Sequence, residues 1–552
     1  MGALARDPAK KSGEEEGPQV GISRRKVLVG VGAGAVSIAG AALTGKSAAA
    51  ASVIKSGAGQ PAADQPDDEH EDDDEHETEK KDMKLVGFND LQNRSTYQPV
   101  VHRYPGNRYI LFAGHHALGN DPVTGARLPS FNPLTGVNEL NGTSIVDVTD
   151  PKKPKYLFHL PVANGADGGA QMNRVNDGSA ALGTPGKVYL LRAYANSAHE
   201  VWDVTDPSHP AGVRTVPGGN PVVASLTGTH KSWWESETGI AYLVGRRATD
   251  TAAGWKAGNH IMIFNMSNPA SPVFIRDWAL DGQQPGGVIP PHFTTVPAIH
   301  GPISTGPVGN RVYFAYGVGS NGVMQIVDRS KLLDPTISTT DYKSAELGRL
   351  IMNPDNGAHT SWPLGKMTVP DFVTDTGNDT PSRTMRDIVV VVSEAGGAFG
   401  DEFRHLTFMV DVTNEGRPQS ISTFEVPSSA GGKGAKNFID RGGRFGPHAT
   451  NEEFGPPFYK KIVFVSYFNA GVRAIDVRDP YNPTEVASFI PKTTRGTDLR
   501  CGTLKGVPNV CRQVIQTNNV ATDDRGFIYI VDRADTGLHI LELEGKAKKI
   551  IG

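Results

Sequence analysis

Ile145-Val146-Asp147-Val148-Thr149-Asp150-Pro151, with a second proline at Pro154, is the stretch that decides the fold. It recurs as Val201-Trp202-Asp203-Val204-Thr205-Asp206-Pro207 with Pro210, and as Ala474-Ile475-Asp476-Val477-Arg478-Asp479-Pro480 with Pro483. Ile263-Phe264-Asn265 with Asn268, Pro269 and Pro272 is a weaker copy, as is Met409-Val410-Asp411 with Asn414 and Pro418. Ile326-Val327-Asp328 and Ile540-Leu541-Glu542 keep the apolar strand and lose the turn. An Asp or Asn at the end of a strand closes a turn by accepting from the backbone ahead of it. Proline has no amide to add to a ladder, so the chain leaves one strand and re-enters as an edge strand.

Each of the seven copies is preceded by a second apolar run: Tyr109 to Ala113, Val188 to Leu191, Ile240 to Val244, Val312 to Tyr316, Ile388 to Val392, Ile462 to Val465 and Ile528 to Val531. Successive motifs are 56, 62, 63, 83, 65 and 66 residues apart, a period that suits four strands per unit with loop insertions. The composition agrees, since 64 glycines and 39 prolines in 552 residues fit many short strands and tight turns. The expectation is an all-β chain, a seven-bladed β-propeller of four-stranded antiparallel blades.

The I/V-V-D-V-x-D-P-x-x-P repeat resembles the LVIVD-repeat β-propeller family over residues 84–552. That resemblance implies architecture and says little about activity. Lys84 to Leu91 resembles an outer strand that closes the ring by completing the last blade, and Lys546 to Ile551 competes for the same role.

Residues 1–51 read as a processing segment. Ser23-Arg24-Arg25-Lys26-Val27-Leu28 is a twin-arginine (Tat) motif, followed by a Gly- and Ala-diluted apolar stretch and the small residues Ala48 to Ala51. Cleavage there leaves no stable membrane span, and the expected location is periplasmic, cell-surface or secreted. Gly40 to Ser47 matches a phosphate-binding loop letter for letter, but inside a signal segment it has no strand and helix to make it work. Residues 52–83 are expected to form a disordered linker, because residues 64–79 hold eleven Asp and Glu and no Lys or Arg.

The whole chain carries a net charge of −4, and residues 80–552 are close to +3. So near neutrality, a nucleic acid or an anionic surface is not the expected partner. A small molecule or a cell-envelope protein remains. The two cysteines, Cys501 and Cys511, lie ten residues apart in one Gly-containing loop and are expected to form a disulfide in an exported protein.

Candidate chemistry gathers at one end of the blades. His102, His230, His300, His359 and His448 open the innermost strand in five blades, with Asn173 in the second and Asn518 or Asn519 in the seventh. Innermost strands surround the propeller axis, so residues at equal heights converge on one mouth of the channel. Long connections, among them Leu280 to Ile299, Asp334 to Ala358 and Pro491 to Gln516, arrive at the same mouth and mark it as the binding face.

Converging imidazoles suit copper, zinc, iron or nickel, and copper or zinc fit an exported protein. The other reading is structural, with each His lining the channel or bonding its own blade. His115, His116, Trp233 and Trp362 near that mouth are candidate ligand-binding residues, with packing as the alternative for the tryptophans. The function expected first is therefore ligand or protein binding on the long-loop face, and the second is a metal-binding propeller with oxidoreductase chemistry.

Overall fold

The aspartates of the repeat do what their spacing requires. Asp147, Asp203, Asp411 and Asp476 each accept from the backbone amide two residues ahead, at 3.0, 2.9, 2.8 and 3.1 Å, and Asn265 does the same at 2.9 Å. The second Asp or Asn of the motif repeats the device at Asp150, Asp206, Asn268 and Asp479. In the fourth blade Asp328 instead caps a short helix, Arg329–Leu333, by accepting from the Lys331 amide. The turn lost from that repeat is replaced by a helical one.

The computed structural model describes residues 78–116, 129–163, 169–170, 172–178, 180–213, 221–223, 225–256, 258–291, 293, 296–318, 321–338, 341–369, 385–394, 404–430 and 437–552. The expected signal segment, residues 1–51, and most of the expected linker lie outside them. Blade one is built from Thr96–Tyr104, Arg108–His115, Thr143–Asp147 and Lys155–Leu160, innermost strand first. Blades two to five repeat the order, starting from Asn173–Asp177, Ser232–Trp234, Ile299–Ser304 and Ala358–Thr368. In blade six the innermost segment runs beside Ile462–Ser466 through the bonds His448 N to Ser466 O and Asn451 N to Phe464 O. Thr517–Thr522 opens blade seven. All ladders are antiparallel, and the architecture is a seven-bladed propeller.

The second strand of each blade reads as an unbroken apolar run because its two faces enter different cores. Tyr109 and Leu111 pack with Tyr529 and Val531 of blade seven, while Ile110 and Phe112 pack with Val188 and Leu190 of blade two. The alternation repeats round the ring. Leu191 joins Leu243 between blades two and three, Tyr242 joins Phe314 between three and four, and Ala315 joins Val389 between four and five. Val390 meets Val463 between five and six, and Phe464 meets Ile530 between six and seven. One apolar core thus fills each of the seven interfaces, and period two along a strand distributes side chains between two of them.

The ring is closed by the N-terminal side. Met83–Asn89 pairs antiparallel with Leu538–Leu543 and becomes the outer strand of blade seven, whereas Gly545–Ile551 is a helix and takes no part in the ladder. Glu79–Lys81 pairs with Thr484–Ile490 and adds an outer strand to blade six. The expected linker boundary at residue 83 therefore moves back, because residues 79–81 and Met83 already sit in ladders. Charged Glu79, Lys80 and Lys81 suit an exposed edge strand.

Cys501 and Cys511 face each other across the hairpin Leu499–Leu504 and Val507–Gln513 and are joined by a disulfide. Among the described residues no helix is long and apolar enough to cross a membrane.

Candidate metal centre at the channel mouth

Backbone irregularity at one height sets up the site. The ladder between the two inner strands slips by one residue between Thr96 and Gln98, Ile299 and Gly301, Ala358 and Thr360, and Thr517 and Asn519. The residues inside these bulges are Tyr97, His300, His359 and Asn518. A bulge leaves one residue unpaired and re-aims its side chain, so the same defect in four blades points four side chains at one place.

His448 enters from blade six, where Ser466 bonds both His448 N and Ala449 O, and His230 lies two residues before the innermost strand of blade three. Four of the five histidines expected at this mouth therefore meet. His230 Nε2 is 2.9 Å from His300 Nε2. The Tyr97 hydroxyl lies 3.3, 3.2 and 3.4 Å from Nε2 of His230, His359 and His448. The rings of His300 and His359 are 3.7 Å apart between centroids, and those of His359 and His448 4.2 Å.

Hydrogen bonds on the far side of the rings decide which nitrogens are free. His300 Nδ1 is 2.7 Å from the His359 carbonyl and His448 Nδ1 is 2.5 Å from the Asn518 carbonyl. A carbonyl only accepts, so both Nδ1 atoms carry the proton. In a neutral ring Nε2 is then a bare lone pair. Burial holds all four rings neutral at physiological pH: His230 is pushed down to about 4 and His448 to about 3, and His300 and His359 lie well below the ordinary value.

Glu394, just past the second strand of blade five, completes the set. Its oxygens lie 3.6 Å from His359 Nε2 and 3.5 Å from His448 Nε2, and Arg444 binds it at 2.7 Å. Burial disfavours the Glu394 carboxylate, but His448, Arg444 and Arg533 together hold its pKa below the usual range. The Nε2 of His300, the Nε2 of His359 and an oxygen of Glu394 form one buried group with donor atoms within 4.8 Å of one another.

The remaining expected site residues part company. His102 lies five residues beyond Tyr97 on the same strand, packs edge-on against Tyr104 and senses Asp177, so it is not in the cluster. The innermost strand of blade one is nine residues long, and its mouth end is Tyr97. His115 is the last residue of a strand. It is fully buried, bonds Ser144 Oγ at 2.6 Å and Thr96 Oγ1 at 3.1 Å, and stacks on His159, which makes it a blade fastener.

His116 does reach the mouth. Its ring stands edge-on to Tyr97 at 4.7 Å, and its Nε2 accepts from Arg533 Nε at 3.0 Å. Trp362 is 1% exposed in the core between blades five and six and stacks on Phe454, so it packs the blades and cannot stack a ligand. Trp233 is half-buried under the Arg174 guanidinium, 4.4 Å away, and lines a cavity of about 180 Å³ further along the inner strands. Asn173 bonds Gln98 and does not touch the histidines.

Glu452 and Glu453 face that same cavity. Glu452 is neutralised by Lys231 and Arg174, and burial pushes Glu453 up to about 7. Tyr97, Glu394, Arg444 and Arg533 are the members of the mouth that the sequence reading missed. Tyr97 was within reach of it, since it occupies in blade one the place that His fills elsewhere. Glu394 and the two arginines carry no repeat signal.

No protein-family model matches the chain, and no curated protein matches it in sequence. Solved structures resemble it in fold. The Dos1 propeller is 11% identical over 84% of this chain and 96% of that one, with a TM-score of 0.41. The periplasmic gluconolactonase PpgL of Pseudomonas aeruginosa is 10% identical over 78% and 96%, with a TM-score of 0.38. Kuenenia stuttgartiensis hydrazine synthase is 11% identical over 72% and 88%, with a TM-score of 0.36. Likenesses of this degree carry no inference about activity.

Proposed function

We propose that this propeller is an exported metal-binding protein that holds a transition ion, copper or zinc, among His230, His300, His359 and His448, with Tyr97 and Glu394 beside it. The observation that carries the reading is the convergence of ligand atoms on one buried point. Nε2 of His300, Nε2 of His359 and an oxygen of Glu394 lie within 4.8 Å of one another, His300 and His448 present bare Nε2 lone pairs, and His230, Tyr97 and Arg444 stand within hydrogen-bond reach of these acceptors.

Converging lone pairs in a buried site need either hydrogen-bond donors or a cation, and this set offers a cation several ligand atoms at once. The spacing also suits an ion, because two imidazole nitrogens at about 2.0–2.1 Å from one metal and at right angles lie about 2.9 Å apart. The carbonyl bonds on Nδ1 of His300 and His448 are the outer contacts that orient metal-binding imidazoles and raise their basicity. A copper ion there would supply redox chemistry and a zinc ion Lewis acidity. The protein's part is to fix the donors and keep Nε2 of His300 and His448 unprotonated.

Elemental analysis of protein produced by export and purified without chelator tests this. The expected result is one equivalent of copper or zinc per chain, falling below a tenth in His300→Ala and in His448→Ala variants that keep their circular dichroism. For a copper-loaded sample, nitrogen hyperfine splitting in the paramagnetic resonance spectrum should report several imidazoles. Folded wild-type protein that takes up neither ion at micromolar concentration would sink the reading.

Kinship with LVIVD-repeat propellers and export by the Tat route belong to the same proposal. The repeat at Asp147, Asp203 and Asp476 supports the first, and the Arg24-Arg25 motif with the disulfide supports the second. Replacing both arginines with lysine should leave the protein unexported in a fractionation experiment, and export undiminished in that variant would remove the Tat assignment.

A further inference from the structure

We infer that the channel mouth binds a small anion with two oxygens in one plane, a carboxylate or a related oxyanion, on the guanidinium of Arg533 beside the histidines. The inference rests on the metal reading for its chemistry, since the anion would be the substrate or the open-site ligand of that ion. Its own ground is the state of Arg533.

Elsewhere buried and half-buried arginines are matched by carboxylates, including Arg192 with Glu200, Arg329 with Glu235 and Arg174 with Glu452. Those that are not, Arg94 and Arg276, spend their Nη groups on oxygen acceptors of the chain. Arg533 does neither. Its Nε donates to His116 Nε2 at 3.0 Å, and among the described residues its two Nη groups have no acceptor.

The central carbon of the Arg533 guanidinium lies over the rings of Tyr97 and Phe468, 5.7 and 5.9 Å from their centroids. Tyr97 in turn touches His230, His359 and His448. An anion seated on Arg533 is therefore one side chain away from the free Nε2 atoms. Glu394, the nearest carboxylate, is taken by Arg444 at 2.7 Å.

Arg533 is half-buried, and Glu394 and the two rings ease its charge from a distance while no carboxylate among the described residues binds it directly. Burial and the neighbouring Arg444 push the Arg533 pKa down to about 10, so it stays charged at neutral pH. A guanidinium presents parallel N–H groups in a rigid fork that matches two coplanar oxygens, which a lysine would not do. His116 and the two aromatic rings hold the fork in place before any ligand arrives, so little freedom is lost on binding.

The test is calorimetric titration of the metal-free and the copper-loaded protein with acetate, oxalate and, as a monatomic control, chloride, at constant ionic strength. Saturable binding of acetate or oxalate in either form is expected, at least tenfold tighter than chloride. Arg533→Gln should weaken it tenfold or more, Arg533→Lys should recover only part, and Arg478→Gln, at an exposed turn paired with Asp476, should leave it unchanged. A structural role for Arg533 would instead lower the melting temperature in Arg533→Gln and leave anion affinity alone.

No saturable binding in either wild-type form, or equal binding by Arg533→Gln, overturns the inference. Failure of metal uptake with anion binding intact would remove the metal reading and support the anion site alone. Metal uptake with no anion dependence would do the reverse.

Discussion

At the residue scale the informative contrast is between two kinds of histidine. His199 and His539 are fasteners: His199 is fully buried with Nε2 donating to the Val244 carbonyl at 2.7 Å, and His539 stands edge-on to Phe88. Burial depresses both, His199 to about 4 and His539 to about 3. The unfolded chain protonates these rings near pH 6.5, whereas the folded one resists until pH 4 or 3. Their contribution is thus complete above about pH 6.5 and is lost as pH falls through the folded values.

His199 alone accounts for roughly 3 kcal/mol over that window. Denaturant melts of wild type and His199→Gln between pH 7 and 4.5 should show the wild type losing stability more steeply. Parallel curves would mean that His199 is not the group responsible. The candidate ligands share the depressed values, but their role is set by where their Nε2 lone pairs point. Composition and repeat position identify the residue type in both cases, and only neighbours at contact distance tell one kind from the other.

At the scale of the element, the strand-to-turn motif was legible because its physics is local. Asp147 reaches Thr149, and Pro151 follows two residues later, all within one short segment. Bulges were not legible, since a slip of register is a property of two strands. That is why His102 was expected at the mouth and Tyr97 was found there: the choice depends on how Thr96–Tyr104 pairs with Arg108–His115.

The closing strand carries a bulge of its own, between Leu85 and Gly87. A Cβ on Gly87 would stand 2.0 Å from the Pro151 carbonyl oxygen, so only glycine lets this strand lie against the turn of blade one. Gly87→Ala is expected to cost about 1–3 kcal/mol by overpacking, visible as a lowered melting temperature. An unchanged melt would show that the Pro151 turn yields freely.

For the whole molecule, seven interblade cores and one closure hold the ring. Each blade contributes apolar side chains to both neighbours, so no blade has a complete core by itself. Met83–Asn89 joins the first part of the described chain to the last, and without it the Leu538–Leu543 strand would present an open edge. Closure also places the mouth. Asn518 of blade seven accepts from His448 of blade six and donates to the Tyr97 carbonyl of blade one, so the site is stitched across the seam between blades six, seven and one.

The sequence by itself determined the repeat, the number of blades, the turn chemistry and the disulfide partners, because each rests on residues a few positions apart or on a count. It also supplied four of the histidines, whose place in the period carries over from blade to blade. Only the tertiary structure decided that they meet, that Tyr97 and Glu394 stand among them, that His102 and Trp362 do not, and that Arg533 is left with free donors. Those facts depend on register, ring closure and contacts between residues hundreds of positions apart, such as Tyr97 with His448 and His116 with Arg533. No window along the chain contains them.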